Sequence, residues 1–457
     1  MPIIQKFTSF SSLVSILKTQ NKPDLFLYKK NDHVLSCSGA GFASLVEAKA
    51  EAYKKAKFSS LALIGEKTPE LAASIFASII AGKTLLLVDP MESLEKIEMM
   101  LSFCDIEQVE VDDSFEEEEI ADLKKHLKPS HDAKVNEEGD FLFFTSGTSG
   151  TPKAVVLSSA SLLDSSFNGQ SRLTCGEKDI VFSCLPLSHV FGFVCTFLWP
   201  LCYGGSVAFS NGLKNIASDV MLLKPTILPL IPTLAGFLLY QKAINPELET
   251  VLVGAGPLSQ SLIAGFRALG KKVAFGYGLT ETSSGVAISV NSDDPFAMQP
   301  CPEDEFRIEE DGTVSIRSDG LMKGYYKNKE ATDAVVHDGW LKTNDRGFID
   351  QRGNLHILGR KDDIAVLSNG TKFDCALGEE KLAKYISLPI DMALYANEGR
   401  LALMVYLPKP ELQDLLGKAV EEFNRSSELY SKITEVNYSK TPLPRTKTGK
   451  IIRYQIH

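Results

Sequence analysis

The feature that most constrains the fold is a strand–helix–strand pattern between residues 61 and 89. LALIG (residues 61–65) and TLLLVDP (residues 84–90) are continuous apolar runs, and the segment between them carries apolar side chains at helical spacing before Gly82. Strands that are apolar on both faces and separated by a helix are typical of βαβ units in a buried parallel sheet. The chain is therefore predicted to be an α/β protein.

An apolar run followed by a glycine-rich turn recurs along the first 300 residues. It is seen where FLFF leads into FTSGTSGTPKA (residues 144–154), in TVLVGAGPLS (residues 250–259) and in KKVAFGYGLTE (residues 271–281). Ligands of open α/β sheets bind at the carboxyl ends of the strands. These turns are therefore predicted to meet at one binding site.

The pattern changes after residue 306, and it changes again after Arg360. FRIEEDGTVSIRS (residues 306–318) and residues 340–360 each read as a β-hairpin, whereas the last part has short strands, a helix near residues 410–425 and a basic tail. We predict a large N-terminal domain (residues 1–360) of stacked α/β sheets with a small β-barrel-like subdomain. A small α+β C-terminal domain (residues 361–457) is expected to follow.

Charge and cysteine content exclude several classes of protein. The net charge of −10 argues against a nucleic-acid partner. The eight Cys form no CxxC pair and cluster with no His, so a metal site is not predicted and reduced thiols in the cytoplasm are expected. The N-terminus does not resemble a signal peptide, and the apolar stretch at residues 71–81 is too short for an integral membrane segment.

The stretch FTSGTSGTPKA has the composition of a loop that holds phosphate oxygens. Glycine lets backbone N–H groups converge on an anion, and Lys153 adds positive charge. The same composition taken alone, without the preceding buried strand, would also fit a flexible surface loop. The stretch is not a P-loop, because the GK[ST] ending is absent. The hydroxyl donors are Thr145, Ser146, Thr148, Ser149 and Thr151.

The same stretch resembles the phosphate loop of the adenylate-forming superfamily, which includes acyl- and aryl-CoA synthetases, luciferases and adenylation domains. Five further stretches match this superfamily in the right order, so the resemblance covers nearly the whole chain. They are LPLSHVFG (residues 185–192), GAGPLS (254–259), GYGLTE (276–281), GWLKTND (339–345) with GRKDD (359–363), and PLPRTKTGKIIR (442–453).

The resemblance implies a ligase that activates a carboxylic acid with ATP, releases pyrophosphate and passes the acyl group from acyl-AMP to a thiol. It assigns the β- and γ-phosphates to a loop that includes Thr145, Ser146, Gly147, Thr148, Ser149, Gly150 and Lys153. Thr280 is assigned to the α-phosphate and Glu281 to Mg²⁺, with Thr145 as a second metal-binding candidate. The adenosine is assigned to Ala255, Gly256, Pro257, Tyr277 and Gly278 for the base, and to Asp345 and Arg360 for the ribose.

Each of these residues also has a simpler interpretation when it is taken alone. Glu281 could cap a helix, Tyr277 could be a core aromatic, and Asp345 or Arg360 could form a surface ion pair. The ordered set of motifs favours the functional interpretation.

Lys450 is the strongest single catalytic candidate. The alternative for it is a solvated lysine in a basic tail, but the resemblance brings it to the acid and the α-phosphate during adenylation. The resemblance also implies that the C-terminal domain is mobile and rotates between the two half-reactions about a hinge at Asp362. Rotation would bring the loop around Gly370 to the thiol tunnel.

The acid is predicted to be a fatty or an aryl acid. LPLSHVFGF and the segment after it carry no acidic side chain up to Tyr203, so a substrate ammonium would be buried without a partner. The resemblance makes His189 and Phe191 candidates for gating the acyl pocket, although His189 could equally be an interior histidine. The motifs are closest to those of fatty-acyl and aryl acid ligases, which suggests a role such as fatty acid metabolism.

The thiol acceptor is expected to be CoA, and a free acyl carrier protein is the alternative. The chain ends four residues after Arg453, so we expect no attached carrier domain. Departures from the family pattern lie mostly where the acceptor would dock and leave this choice open. They are Ala154, Asn344, the compressed region at residues 293–305, Cys375 and Leu377. A non-catalytic nucleotide-binding relative is the third hypothesis, and retention of the full residue set argues against it.

Overall fold

The computed structural model describes residues 5–30, 33–130, 138–145, 153–256, 258–369, 371–386, 390–407, 409, 412–445 and 451–456. The strands are β1 (Phe26–Lys30), β2 (His33–Cys37), β3 (Ser60–Ile64), β4 (Thr84–Val88), β5 (Gln108–Val111), β6 (Asp140–Thr145), β7 (Lys153–Ser158), β8 (Ile180–Ser183), β9 (Ser206–Phe209), β10 (Ile227–Leu230), β11 (Thr250–Val253), β12 (Lys272–Leu279), β13 (Ser284–Val290), β14 (Gln299–Pro300), β15 (Glu305–Ile308), β16 (Thr313–Arg317), β17 (Gly324–Tyr325), β18 (Val336–His337), β19 (Trp340–Ile349), β20 (Leu355–Arg360), β21 (Ile364–Val366), β22 (Lys372–Asp374), β23 (Asp391–Asn397), β24 (Arg400–Tyr406) and β25 (Ile433–Ser439).

The helices alternate with the strands through the first 270 residues, and further helices follow after residue 328. They are α1 (Phe10–Gln20), α2 (Gly39–Lys55), α3 (Pro69–Ile80), α4 (Leu94–Phe103), α5 (Glu117–Lys125), α6 (Ser159–Arg172), α7 (Val190–Phe193), α8 (Trp199–Cys202), α9 (Ile216–Leu223), α10 (Pro232–Tyr240), α11 (Gln260–Ala268), α12 (Lys329–Asp333), α13 (Cys375–Ala383) and α14 (Gln413–Arg425). A π-helix over Val194–Leu198 joins α7 to α8. Among the described residues, no helix combines the length and apolarity needed to cross a bilayer.

Two large mixed sheets form most of the molecule. Within the described residues, the first has the strand order β14-β13-β12-β11-β10-β8-β9-β1-β2 and the second has the order β17-β7-β6-β4-β3-β5. Most inner strands of both sheets pair in parallel, as the βαβ pattern predicted. Antiparallel strands lie at both edges of the first sheet and at the β17–β7 edge of the second, whose other edge strand, β5, pairs in parallel. The α/β fold class is confirmed.

The continuous apolar strands are explained by burial on both faces of each sheet. In β3, Leu61 and Leu63 belong to a core shared by both sheets, whereas Ala62 and Ile64 face a separate cluster under α4 and α5. Because side chains alternate across a strand, both faces must be apolar when both are covered. The shared core contains the packed rings of Phe10, Phe26, Phe42, Phe76, Phe141, Phe143, Phe193, Phe197 and Phe209.

The region after residue 304 forms an antiparallel sheet with the order β15-β16-β19-β18, and β20 pairs with β19. The hairpins β15–β16 and β19–β20 are the two that the sequence predicted, and Gly312 at φ 78° turns the first of them. Beyond Arg360, β23, β24 and β25 form a small sheet that packs with α13 and α14 around its own apolar cluster. The helix expected near residues 410–425 runs from Gln413 to Arg425.

Asp304 is a buried carboxyl that joins α6 to the segment after β14. Asn168 Nδ2 donates to Asp304 Oδ2 at 3.2 Å, and the Oδ1 atoms of both residues are buried without a hydrogen-bond partner among the described residues. Burial, reinforced by nearby Glu303, raises the pKa of Asp304 from 3.8 to about 7. The folded protein therefore keeps a proton here at pH values where the unfolded chain has lost it.

We expect Asp304→Asn to be more stable than the parent near neutral pH and little different in acid. Parent stability should fall as the pH rises from about 4 to about 7, because only the unfolded state releases the proton in that window. The amide of the variant is neutral at every pH, so its melting temperature should exceed the parent value by several degrees at about pH 8 but not at about pH 4. Equal pH dependence of thermal unfolding in both proteins would contradict this assignment.

Candidate active site

The predicted phosphate loop connects β6 to β7, an antiparallel hairpin that lies between β17 and β4 in the second sheet. Thr145 ends β6 and lies opposite Lys153, which begins β7. The Thr145 hydroxyl donates to the Lys153 carbonyl oxygen at 3.5 Å. The predicted residues Ser146, Gly147, Thr148, Ser149 and Gly150 lie outside the described residues.

Lys153, Tyr325 and Glu281 form a connected group beside this hairpin. The Lys153 Nζ lies 4.8 Å from the centre of the Tyr325 ring, and the Tyr325 hydroxyl donates to Glu281 Oε1 at 2.8 Å. Tyr325 is held there because β17 pairs with β7. Burial and the charge of Glu281 raise the pKa of Tyr325, so it remains a hydrogen-bond donor. The lysine of the predicted phosphate loop and the predicted metal carboxylate are thus brought to one place.

Thr280 and Glu281 lie on a strained turn between β12 and β13. The residues Thr280–Thr282 form one 3₁₀ turn, and Ser283 and Ser284 follow it with φ angles of 53° and 110°. A Cβ at Gly278 would lie 1.7 Å from the Ser284 carbonyl oxygen, so this position requires glycine. Unfavourable backbone conformations persist where the surrounding structure enforces them, which occurs often at functional sites.

Tyr277, Asp345 and Arg360 form a second group. The Tyr277 hydroxyl donates to Asp345 Oδ2 at 2.7 Å, and Arg360 Nε donates to Asp345 Oδ1 at 3.3 Å. Asp345 is buried and lies opposite Arg360 in the β19–β20 ladder. Burial, followed by the Asp345 charge, raises the pKa of Tyr277 well above its ordinary value. The structure therefore brings together three of the residues predicted to hold the nucleoside.

The predicted adenine wall follows β11. Ala255 has a left-handed backbone with φ 60°, an uncommon conformation for a residue with a Cβ. A Cβ at Gly254 would lie 2.9 Å from the ring of Phe191, and one at Gly256 would lie 3.1 Å from Pro232. The turn thus packs directly against the predicted acyl-gate residue Phe191. Pro257 lies outside the described residues.

His189 is the N-cap residue of α7. Some side chains of the helical segment that follows it lie in the core, and others line a cavity. The His189 carbonyl oxygen accepts from Phe193 N at 2.8 Å. Phe193 and Phe197 are fully buried in the shared aromatic core.

A small apolar cavity of about 30 Å³ lies on the other side of this segment. Its walls include Val194, Cys195, Trp199, Leu252, Gly285 and Ile288. Gly285 and Ile288 on β13 pair with Gly278 and Gly276 on β12, so the cavity lies directly behind the GYGLTE strand. Trp199 is fixed at the cavity wall because its Nε1 donates to Gln170 at 2.7 Å.

Three predicted residues of the C-terminal part cannot be placed in the site. Lys450 and Gly370 lie outside the described residues, and so does the side chain of Asp362, whose backbone lies in a 3₁₀ turn after β20. The residues that flank Lys450 are firmly held. Ile451 forms a β-bridge with Arg445, whose guanidinium pairs with Asp391 at 2.6 Å.

Arg453 anchors the other end of this tail next to the predicted hinge. Its guanidinium contacts Asp363 Oδ1 and Glu379 Oε1, each at 2.6 Å, and donates to the Leu394 carbonyl oxygen at 2.7 Å. The Arg453 side chain is only 13% exposed. The tail that contains Lys450 is therefore tied to the residue that follows Asp362.

The donor set fits Mg²⁺ only as an ion shared with a polyphosphate. Among the described residues, no group of three or more His, Cys, Asp or Glu side chains could hold a metal ion. Mg²⁺ takes one or two carboxylates together with phosphate oxygens and water. Glu281, close to Lys153 through Tyr325, is a carboxylate of this kind.

Sequence reasoning missed Tyr325 and the strained Ser283–Ser284 pair. Neither has a local signal, because Tyr325 reaches Glu281 through a strand pairing between distant segments and the serines are ordinary in composition.

Comparison with known proteins gives a consistent result. Residues 52–326 match the family model described as AMP-binding enzyme. The chain is 25% identical to the 2-succinylbenzoate–CoA ligase of Bacillus velezensis, over 82% of this chain and 77% of that protein. It is 28% identical to the long-chain-fatty-acid–CoA ligase FadD15 of Mycobacterium bovis, over 53% of this chain and 50% of that protein, and therefore spans about half of that relative.

A solved structure has the same fold over its whole length. It is the O-succinylbenzoate coenzyme A synthetase (MenE) of Bacillus subtilis in complex with ATP and magnesium ion. The TM-score is 0.81 at 21% identity, with 99% of this chain and 100% of that chain covered. This confirms the predicted architecture of a large and a small part.

Proposed function

We propose, from the premise that this chain belongs to the AMP-binding enzyme family, that it is an ATP-dependent acid–thiol ligase of the acyl-CoA synthetase type. It would join a fatty or aryl acid to CoA through an acyl-AMP intermediate. The relatives named above are ligases for an aryl and a fatty acid, and the structural relative holds ATP and magnesium. Eight free cysteines fit a reducing compartment, and we propose the cytoplasm.

The observation that carries this proposal is the convergence of two polar groups around the GYGLTE turn. Tyr277, with Asp345 and Arg360, lies at one end of that turn, and Glu281, with Tyr325 and Lys153, lies at the other. A nucleoside and a polyphosphate need these two kinds of partner at adjacent positions. The strained backbone between the groups adds further support.

In the first half-reaction, the substrate carboxylate attacks the α-phosphorus of ATP, and pyrophosphate leaves. Asp345 accepts hydrogen bonds from the ribose hydroxyls, while Tyr277 covers the base. Lys153 and Thr145, with the loop between them, hold the β- and γ-phosphates, and Thr280 donates to the α-phosphate. Mg²⁺, bound through Glu281, would neutralise phosphate charge. Bringing two anions together in this way requires positioning and a positive field, which are the main sources of rate here.

We further propose that residues 361–457 act as a separate mobile domain that delivers Lys450 to the reacting oxygens. In the second half-reaction this domain turns about Asp362, and the loop at Gly370 meets the thiol. The sulfur attacks the acyl carbon, AMP leaves and the thiol proton is released to solvent. The separate apolar cluster of the C-terminal part supports its identity as a unit.

The test is pyrophosphate release with a panel of fatty and aryl acids, followed by AMP release with and without CoA. Release of pyrophosphate with one class of acid and stimulation of AMP release by CoA are the expected results. If no acid supports pyrophosphate release, the enzyme assignment is wrong. If turnover requires an acyl carrier protein and ignores CoA, the acceptor assignment is wrong.

We assign the end of the acyl group to the apolar cavity behind β12. Its volume of about 30 Å³ has room for only one or two carbon atoms beyond the reaction site. Trp199 closes it, and Gly285 leaves space because a Cβ there would approach only Ile288, at 3.9 Å. The fixed tryptophan at the wall favours the shorter fatty acids and compact aryl acids.

We expect Gly285→Leu to shift the preference toward smaller acids by about two carbons, since each buried CH₂ contributes about 0.8 kcal/mol. The kcat/KM for the largest accepted acid should fall at least tenfold relative to the smallest one. The KM for ATP should not change, because Gly285 lines the cavity and a Cβ there would approach only Ile288. Trp199→Leu is the matched opposite change and should favour larger acids. An unaltered preference in both variants would refute the assignment of the cavity.

A further inference from the structure

We propose that Lys67 is a positioning residue that holds the segment carrying His189 and Phe191 from the opposite sheet and thereby controls binding of the acid. The consequence for the reaction rests on the proposed function, whereas the contact itself does not. Nothing in the sequence pattern of the motifs points to this residue.

Lys67 bridges the two large sheets at the edge where their parallel strands end. It lies between β3 and α3, immediately before the N-cap Thr68. Its Nζ donates to the carbonyl oxygen of Ser183 at 2.7 Å and to that of Leu185 at 3.3 Å. Ser183 ends β8 in the other sheet, and Leu185 is the first residue of LPLSHVFG. A single side chain therefore fixes the entry to that motif.

The segment that begins at Leu185 is too tightly packed to absorb a displacement of its first residue. His189 N donates to the Pro186 carbonyl oxygen at 3.2 Å. A Cβ at Gly192 would lie 2.2 Å from the same oxygen, so the turn closes directly on the start of the helix. Phe191, inside this turn, packs on Gly254, the residue before the predicted adenine wall. A shift at Leu185 must therefore move the acyl-gate residues.

Ser183 also holds this segment through its side chain. Its hydroxyl shares a hydrogen bond of 2.9 Å with the Thr196 hydroxyl, which donates to the Gly192 carbonyl oxygen at 2.6 Å. These atoms are buried. Lys67 therefore contacts a rigid, hydrogen-bonded unit, and loss of its hydrogen bonds to Ser183 and Leu185 should affect the unit as a whole.

The charge of Lys67 strengthens its hydrogen bonds to the Ser183 and Leu185 carbonyl oxygens, and this charge is lost within an accessible pH range. Burial lowers the pKa of Lys67 to about 8, and nearby acidic groups oppose the shift without reversing it. These groups are Cys184, which directly precedes Leu185, Asp89 after β4, Asp219 on α9 and the adjacent Glu66. Burial raises the pKa of Cys184 to about 11, so its thiol stays neutral near pH 7. Carbonyl oxygens accept more strongly from an ammonium than from an amine, so the contact should weaken above about pH 8.

The experiment compares Lys67→Met, Lys67→Arg and the control Lys178→Met, which removes an exposed lysine from the turn before β8. Hydrogen–deuterium exchange is measured over residues 184–193 in the full chain, without substrate. Kinetics of pyrophosphate release are then measured against the acid and against ATP.

We expect faster exchange over residues 184–193 in Lys67→Met and parent-like exchange in Lys178→Met. The KM for the acid should rise about tenfold in Lys67→Met, as for loss of a charged hydrogen bond, with the KM for ATP unchanged. The parent kcat/KM for the acid should fall above about pH 8, whereas Lys67→Arg, which keeps its charge, should give a flat profile.

Unchanged exchange in Lys67→Met would overturn the proposal whether or not the enzyme is active. If the parent is inactive with every acid, the proposed function fails and the exchange result still decides the role of Lys67 in holding the segment. If Lys67→Met does not fold, the profile of Lys67→Arg decides, and a fall parallel to that of the parent would refute the role of the charge.

Discussion

Glu281→Gln is expected to reduce pyrophosphate release at least a hundredfold at moderate Mg²⁺ concentration. Glutamine keeps the size of the side chain and can still accept the hydrogen bond from Tyr325, but it loses the charge that Mg²⁺ requires from its protein ligand. Loss of one group that stabilises transition-state charge costs about 10²–10³ in rate. The measurement is the initial rate of pyrophosphate release across a Mg²⁺ titration, and the titration midpoint should move to higher concentration.

Tyr325→Phe is the matched control for this experiment. It removes the hydrogen bond at 2.8 Å to Glu281 but keeps the ring that faces Lys153. A loss of about tenfold is expected, since a single hydrogen bond to a charged group is removed while the carboxylate remains. If Glu281→Gln were no worse than Tyr325→Phe, Glu281 would be only a structural acceptor for the tyrosine.

The sequence predicts those parts of the fold that depend on local pattern. Residues 61–64 form a continuous apolar run because both faces of the sheet are covered, with Leu61 and Leu63 on one face and Ala62 and Ile64 on the other. That run can be seen in the sequence alone. The β15–β16 hairpin is equally local, because Gly312 supplies the left-handed conformation that its turn requires.

Features that depend on contacts between distant segments were not predictable in this way. Tyr325 reaches Glu281 only because β17 pairs with β7, and Lys67 reaches Leu185 only because two sheets meet at one edge. The aromatic segment after His189 shows the same limit, since Phe193 lies in the core whereas Phe191 packs on Gly254, beside the predicted adenine wall. Spacing along one helix cannot tell these two surroundings apart.

Lys450→Ala is expected to abolish adenylation almost completely while leaving thioester formation from supplied acyl-AMP largely intact. In the proposed arrangement Lys450 lies at the reacting oxygens only during the first half-reaction, since the C-terminal domain turns before the second, so only the first step should lose about 10²–10³ in rate. The two steps are measured separately, as pyrophosphate release from ATP and as CoA-dependent AMP release from synthetic acyl-AMP. Lys440→Ala, which removes an exposed lysine earlier in the same tail, should change neither rate.

The anchoring of the tail explains why the two half-reactions should separate. Arg445 and Arg453, on either side of Lys450, are held by Asp391 and by Asp363 with Glu379, all of which lie beyond Arg360. We therefore expect Lys450 to stay with the C-terminal part in the proposed rotation, and removing its amine should leave the surface that receives the thiol unchanged. Equal losses in both steps would mean that Lys450 acts in a single arrangement shared by both, and the proposed rotation about Asp362 would then have no catalytic role.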